Sequence, residues 1–420
     1  MGNKPTLVFD ASVIAENIDG KRSGRSGIYF TAYNILKKLV ESECFDVSIY
    51  SEMGSISFVN FIKREFNGNV NVYFSNRYGL FLLKMIELDK WLRAKRLNVL
   101  KLLLNVLVRK PVRFLGRKNK LQFFDFAFSP VRVFFDTINA EKTYILLHDT
   151  IPLLLPDYFP AMGQKKHWFY KLTQYIKTKP NCKYFANSDA TKNDFVRLLK
   201  MNPDDITVTP LAANDNFYHV SDARKIADAR AKYNIPNGKK YVFSLCTLEP
   251  RKNLIRAVKT FIEFIKKNKI DDMVFVLGGA HWDEFIGKLE SEIDDLGKYK
   301  DKIIRAGYID DEDLAALYSG AEWYVYTSQY EGFGLPPLEA MQCGCPVITS
   351  NNSSLPEVVG DAGIMIDWDS DEQHIAAYEN YYNNPKMRED MRLRGLKRAK
   401  QFSWDKTADL IIKTILNQVQ

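Results

Sequence analysis

The sequence predicts an α/β protein with two parallel sheets that face a cleft, and three observations carry that prediction. Short apolar runs alternate with helix-spaced segments from residue 7 onward, and the same cycle restarts beyond a loop near residue 212. Residues 323–350 read as strand, glycine-bearing loop, helix and strand, a βαβ unit whose loop opens at the carboxyl end of its sheet. The chain has 420 residues, 46% of them hydrophobic and 26% charged, which is ordinary for folded domains and excludes a disordered polymer.

Residues 7–12 (LVFDAS) read as strand then loop. Residues 23–40 form a glycine-bearing loop that enters an amphipathic helix, with Ile28, Ala32, Ile35, Leu36 and Leu39 at three- and four-residue spacing. A glycine loop in that place can offer N–H groups to phosphate or substrate, or serve as a plain turn. Residues 46–51 are the next strand. Residues 143–150 are a strand ending in His148 and Asp149, followed by a helical pattern over 161–179 and a strand over 182–188. Ser188 or Asp189 caps a helix over 189–199, and residues 205–210 give another strand. The second cycle begins with a helix over 222–233. Strands follow at 241–247, at MVFVLGG and at KIIRAGYI, with helices over 254–267, 282–296 and from DDEDLAALYSGA. Ser403 caps a final helix over 404–418. The resulting division is 1–212, 213–402 and a terminal helix in 403–420.

The five cysteines (Cys44, Cys182, Cys246, Cys343, Cys345) are scattered and odd in number, which points to a reducing compartment without a disulfide framework. Cys343 and Cys345 form a C-x-C, yet no second Cys/His pair completes a zinc set. There is no signal-peptide pattern and no run of roughly 18 apolar residues, so a cytoplasmic or peripheral protein is expected. The net charge of +8 is concentrated. Residues 77–120 hold 13 Lys/Arg against Glu87 and Asp89, a net of +11, which leaves −3 for the rest. In that segment Leu88, Trp91, Leu92, Val99, Leu103 and Val106 suit an apolar face beside Lys84, Arg93, Lys95, Arg96 and Lys101. The pattern favours a helix lying at an anionic membrane surface over a core helix pair with a solvated basic face. Nucleic acid is disfavoured, because no recognised binding motif accompanies the basic residues.

The chemistry gathers in EGFGLPPLE, residues 331–339. Pro336 and Pro337 suit a first helical turn, and Gly344 with Pro346 ends the helix. Backbone N–H groups of Phe333, Gly334 and Leu335 at such a positive helix end suit phosphate. Glu331 and Glu339 are acceptors only, which suits ligand hydroxyls. Arg251 and Lys252 follow a strand at the expected mouth of the second sheet, where adjacent cations match a diphosphate. His148 ends a strand at the mouth of the first sheet, with Asp149 placed to orient it or cap the next turn. The acids of residues 310–313 and from Asp367 each precede a helical pattern, so capping is favoured over metal binding. Ser353, Ser354 and Glu357 read likewise as a loop and helix start.

LEPRKN, EGFGLPPLE, LHD, ANS and the early glycine loop occur in the order found in family 4 glycosyltransferases, and the chain resembles that family over most of its length. The resemblance implies the GT-B fold: two Rossmann-like domains with parallel sheets facing a central cleft, and a C-terminal helix crossing back to the first. It implies a retaining transferase with a nucleotide-diphosphate sugar as donor and neither cofactor nor metal. By resemblance Arg251 and Lys252 bind the diphosphate, Phe333, Gly334 and Leu335 add backbone donors, and Glu339 takes the ribose. Glu331 and His148 serve the transferred sugar at the reaction centre, and Gly27 matches the loop near acceptor and phosphate. Cys246 departs from the pattern, which usually has glycine there. Mannose from GDP-mannose is the favoured donor. A saccharide or lipid-linked acceptor in surface polysaccharide assembly (lipopolysaccharide, O-antigen), on the inner face of the cytoplasmic membrane, is the favoured setting. The competing readings are another GT-B enzyme, an epimerase or phosphorylase, and a non-catalytic membrane scaffold. Replacing Lys84, Arg93, Lys95 and Arg96 with Gln should weaken salt-sensitive binding to anionic vesicles; unchanged binding in a sedimentation assay would remove the membrane-surface expectation.

Overall fold

A computed structural model describes residues 4–18, 27–51, 56–68, 70–74, 88, 123–131, 139–159, 168–178, 182–247, 249–279 and 296–417. The basic segment 77–120, apart from Leu88, and the helix expected over 282–296, apart from Leu296, lie outside those residues.

Thirteen strands among the described residues form two sheets. The first contains β1 (Thr6–Asp10), β2 (Asp46–Ser51), β3 (Asn71–Phe74), β4 (Phe123–Ser129), β5 (Asn139–Leu147), β6 (Cys182–Ala186) and β7 (Ile206–Val208), in the order 3-2-1-4-5-6-7. The second contains β8 (Lys240–Leu245), β9 (Met273–Gly278), β10 (Ile303–Gly307), β11 (Trp323–Tyr326), β12 (Val347–Ser350) and β13 (Gly363–Ile366), in the order 10-9-8-11-12-13. Every pairing is parallel. That arrangement suits strands covered on both faces, and MVFVLG of β9 is buried at every position.

The order of each sheet reverses once, between β1 and β4 in the first and between β8 and β11 in the second. Ligands of open parallel sheets bind in the crevice at such a reversal, outside the carboxyl ends of the strands. In the second sheet the loops leaving those two strands carry Arg251 and Lys252 on one side and Glu331 on the other. The topology thus places two predicted partners 80 residues apart in sequence at one crevice.

Helices cover the sheets through one apolar stripe each. Leu254–Lys267 buries Leu254, Ala257, Val258, Phe261, Ile262, Phe264 and Ile265 and turns its lysines outward. Trp323, fully buried at the start of β11, lies under Tyr378 and Tyr381, with ring centroids 6.2 and 5.9 Å away. The final helix Trp404–Leu416 is capped by Ser403, whose Oγ accepts from Lys406 N at 3.2 Å. It packs on the Gly27–Glu41 helix of the first sheet, where Asp405 pairs with Lys38 at 2.8 Å and Thr407 Oγ1 donates to Pro210 O at 2.6 Å. The crossing back expected from the sequence is present. Between the sheets, Leu211, Ala212, Ala213 and Phe217 are buried, and Asn34 Nδ2 donates to Asn214 Oδ1 at 2.7 Å.

One local expectation is resolved and another differs in detail. Ser188 rather than Asp189 caps the Asp189–Leu199 helix, accepting from Thr191 N at 3.0 Å. Asp310 stands at the N-cap of Asp311–Gly320 without a side-chain capping bond. Its carboxylate and that of Asp313 instead hold the Lys232 ammonium at 2.8 and 2.6 Å, so a lysine already neutralises this acidic group. Among the described residues no helix is long and apolar enough to cross a membrane.

Candidate active site

The crevice of the second sheet is organised around one carboxylate. Glu331 Oε1 accepts from Lys252 Nζ at 2.6 Å, from Arg251 Nη1 at 3.1 Å and from the Tyr326 hydroxyl at 2.9 Å. Lys252 Nζ also reaches the Tyr326 oxygen at 2.5 Å and sits 4.9 Å from that ring's centroid. Lys252 and Glu331 are each only 8% exposed, so removing either partner strands a buried charge, at about 3–5 kcal/mol. Burial alone would raise the Glu331 pKa, but the charges of Lys252 and Arg251 outweigh it and hold the group below the usual range. For Arg251 burial acts downward, and Glu331 and Glu249 push its pKa up overall. Glu249 Oε2 lies 2.7 Å from Arg251 Nε and fixes the guanidinium from its other edge.

Serines hold the loop that carries Glu331. Ser353 Oγ accepts from Glu331 N at 3.1 Å, and the Ser354 hydroxyl lies 2.6 Å from Phe333 O and 3.0 Å from Glu331 O. The loop then enters the helix Leu335–Gln342 through Gly334, whose φ of 112° is a conformation L side chains rarely adopt. Phe333, Gly334 and Leu335 precede or begin the first turn, where the helix has no acceptor for their N–H groups. That turn and the two cations make the crevice suited to a diphosphate.

Parts of the first sheet meet this loop. Gly27 stands against Leu335: a Cβ on Gly27 would lie 3.1 Å from Leu335 Cδ1. A Cβ on Gly332 would lie 2.0 Å from His148 O, a backbone atom that cannot yield. Glycine at 332 is therefore a requirement of space. His148 Nε2 is 2.5 Å from Pro130 O; a carbonyl only accepts, so Nε2 carries the proton. Burial lowers the His148 pKa despite that hydrogen bond, which keeps the ring neutral. Asp149 takes the capping role, accepting from Ile151 N at 3.0 Å, and burial raises its pKa although that bond and Arg251 oppose it.

Glu339 lies apart from the cation cluster. Its side chain meets Tyr318, whose hydroxyl is 3.4 Å from Oε2, and burial pushes its pKa up to about 8. It is accordingly a neutral acid near pH 7, with acceptor capacity to spare. Cys246, on the rim of β8, has its thiol pushed up to about 12 by burial and remains protonated. Cys343 and Cys345 are free, buried thiols.

The structure therefore brings Arg251, Lys252 and Glu331 together, sets Phe333, Gly334 and Leu335 beside them, and carries His148 and Gly27 to the same loop. Glu339 meets Tyr318 instead. Sequence reasoning missed Tyr326, although it lies five residues before Glu331 in a strand read as wholly buried, where a phenol needs a partner. It also missed Tyr330, whose hydroxyl donates across the cleft to Asp194, and the outward reach of Glu357. Neither pairing leaves a local spacing signal, because the partners are 136 and 168 residues apart.

Two parallel sheets flanking a cleft, with an anion-suited crevice at the reversal of the second, define the glycosyltransferase architecture with two Rossmann-like halves. Comparison with known proteins agrees. The family described as "Glycosyl transferases group 1" matches residues 225–398. The O-antigen chain mannosyltransferase B of Escherichia coli is 32% identical over 270 residues, 63% of this chain and 68% of that protein. The serotype-specific mannosyltransferase WbdA of Escherichia coli is 27% identical over 281 residues, 66% of this chain but only 34% of that longer protein. Anabaena Alr3699/HepE, solved with UDP and glucose, superposes with a TM-score of 0.65 over 98% of this chain and 100% of its own, at 16% identity. The chain belongs to the group 1 glycosyl transferases.

Glu339 yields a pH test. Its carboxyl is neutral in the fold up to about pH 8, whereas the unfolded group ionises near 4.5. The fold thus loses stability as pH rises from 4.5 to 8. Glu339→Gln removes that penalty, so its melting temperature should exceed wild type by at least about 2 °C at pH 8.5, with the gap closing toward pH 5. A pH-independent difference in calorimetry would contradict a neutral Glu339.

Proposed function

We propose that this glycosyltransferase is a retaining, family 4 enzyme that takes a hexose from a nucleotide-diphosphate sugar, and that Arg251 and Lys252 hold the diphosphate. The observation that carries this reading is the convergence of two cations on one buried carboxylate beside a helix N-terminus. As the bond from C1 to the β-phosphate oxygen breaks, negative charge grows on the phosphate, and cations fixed in advance stabilise it as it develops. Glu331 takes the sugar hydroxyls once phosphate competes for its partners, and Glu339 takes the ribose. The neutral His148 lines the sugar's other side. On the retaining course the acceptor oxygen bonds to C1 on the face being vacated, and its proton passes to the departing phosphate oxygen. No step in this scheme needs a metal ion.

The two Escherichia coli relatives named above as mannosyltransferases, one of them of the O-antigen chain, support mannose as the transferred sugar and a surface polysaccharide as the product. GDP-mannose is the donor of choice on this reading. The acceptor is a saccharide or a lipid-linked saccharide, and the basic run of residues 77–120 supports delivery at an anionic membrane surface.

A panel of nucleotide sugars, read by nucleotide release with and without mannosylated acceptor, tests the proposal. Release should depend on acceptor and persist in EDTA, and Glu331→Ala or Lys252→Ala should lower kcat by at least about a hundredfold. Acceptor-independent interconversion of the free nucleotide sugars would favour an epimerase, and full turnover in either variant would dismiss these residues.

A further inference from the structure

Glu357 belongs to the second sheet's half but completes a helix of the first. The Asp189–Leu199 helix begins with N–H groups that have no acceptor inside it. Ser188 Oγ satisfies Thr191 N at 3.0 Å. The two before it go to one side chain from across the cleft: Asp189 N donates to Glu357 Oε2 and Ala190 N to Glu357 Oε1, each at 2.7 Å. A carboxylate there also meets the positive end of the helix dipole.

The same first turn holds the reaction centre. Ser188 Oγ donates to Gly332 O at 2.7 Å, and Thr191 Oγ1 lies 3.0 Å from Gly332 O and 3.3 Å from His148 O. Asn187 Nδ2 donates to His148 O at 2.9 Å. Thus one short stretch, Asn187 to Thr191, touches His148 on its own side and the Glu331 loop on the other. Glu357 is braced from behind, since Arg398 Nη2 donates to Glu357 O at 2.5 Å and Nε to Val358 O at 3.0 Å. Arg398 in turn stacks 5.3 Å over Phe402, whose ring meets Phe333 at 5.9 Å. The carboxylate therefore leaves a fixed backbone and points away from its own five-residue helix, Leu355–Val359. SSLPEV is the loop and helix start expected from the sequence, with Glu357 in the first turn, but the carboxylate of Glu357 serves the neighbouring helix.

We infer that Glu357 is a positioning residue for sugar transfer: by capping the Asp189–Leu199 helix across the cleft, it sets His148 against Gly332 and the Glu331 loop. The inference rests on the transferase reading for its kinetic consequence and on the structure alone for the contact. The donor's cations and helix end lie within the second half, so loss of Glu357 should leave donor binding intact and misplace the reacting face. A misplacement of about 1 Å can cost a hundredfold in rate.

The experiment pairs amide hydrogen exchange with kinetics on the full chain. In wild type the Asp189 and Ala190 amides should be protected, and in Glu357→Ala they should exchange at least tenfold faster. Glu357→Ala should lower kcat by about ten- to hundredfold, with the donor KM changed less than threefold. Glu357→Gln keeps one carbonyl acceptor and should fall between, whereas Glu357→Asp, one methylene short, should behave as alanine does. Melting curves identify any variant that fails to fold, and the Gln variant then carries the test. Unprotected amides in wild type would overturn the contact. Protected amides together with wild-type kcat in Glu357→Ala, or a rise in donor KM equal to the fall in kcat/KM, would overturn the positioning role. Wild-type protein that transfers no sugar from any donor while its amides stay protected would sink the transferase reading and leave the cross-cleft cap standing.

Discussion

One buried carboxylate orders this molecule's working end. Glu331 sits buried among an ammonium, a guanidinium and a phenol; the two cations come from one short 3-10 turn, Pro250–Lys252, and the phenol from the end of β11. A cluster of that kind survives burial only when every charge is compensated. The sheet order supplies the compensation, since reversal between β8 and β11 sets the two outgoing loops side by side. Two cations aimed at one carboxylate are also aimed at any phosphate that replaces it. On the proposed reading, Glu331 holds these cations in the free protein near the place where the leaving group's charge would develop, a form of preorganisation.

The second constraint is steric. Gly332 comes so near the His148 carbonyl that no side chain fits, and hydroxyls of Ser188 and Thr191 take the Gly332 carbonyl from the other sheet's half. Gly27 faces Leu335 less tightly, since a Cβ there would meet the end of that side chain at 3.1 Å. The halves meet through backbone and short polar side chains at the site, and through a buried linker and the final helix away from it. His148 enters this arrangement as a neutral, donor-committed ring: its Nε2 proton is occupied by Pro130, so its contribution is shape and its remaining lone pair.

Much of this was legible in the residues. Apolar runs at strand length and amphipathic spacing at helix length gave five strands of each sheet, because parallel strands buried on two faces leave a clear pattern, but β3, β4 and β13 were not read. The loop of residues 331–339 was legible because glycine, proline and two glutamates each answer a local backbone or acceptor need. Arg251 and Lys252, which alone read as a surface pair, became legible only through their pairing with that loop about 80 residues later. What stayed hidden depends on tertiary proximity. Tyr326 looks like any buried strand aromatic until Lys252 is seen beside its hydroxyl. Glu357 looks like an acid opening its own helix until the Asp189 and Ala190 amides are found at 2.7 Å. Asp310 looks like a cap until Lys232 claims it. In each case the local rule named an available role, and a partner some 75 to 170 residues distant supplied a stronger one.

The claim that Glu331 stands in for the donor's phosphate is tested most directly by calorimetric titration of GDP and UDP into wild type and Glu331→Gln. A carboxylate that competes with diphosphate for Arg251 and Lys252, and repels it, weakens binding. The amide keeps the hydrogen bonds and loses the charge, so Glu331→Gln should bind the preferred nucleoside diphosphate several-fold more tightly than wild type. Weaker binding by Glu331→Gln, comparable to that of Lys252→Ala, would make Glu331 a ligand of the nucleotide and contradict the account.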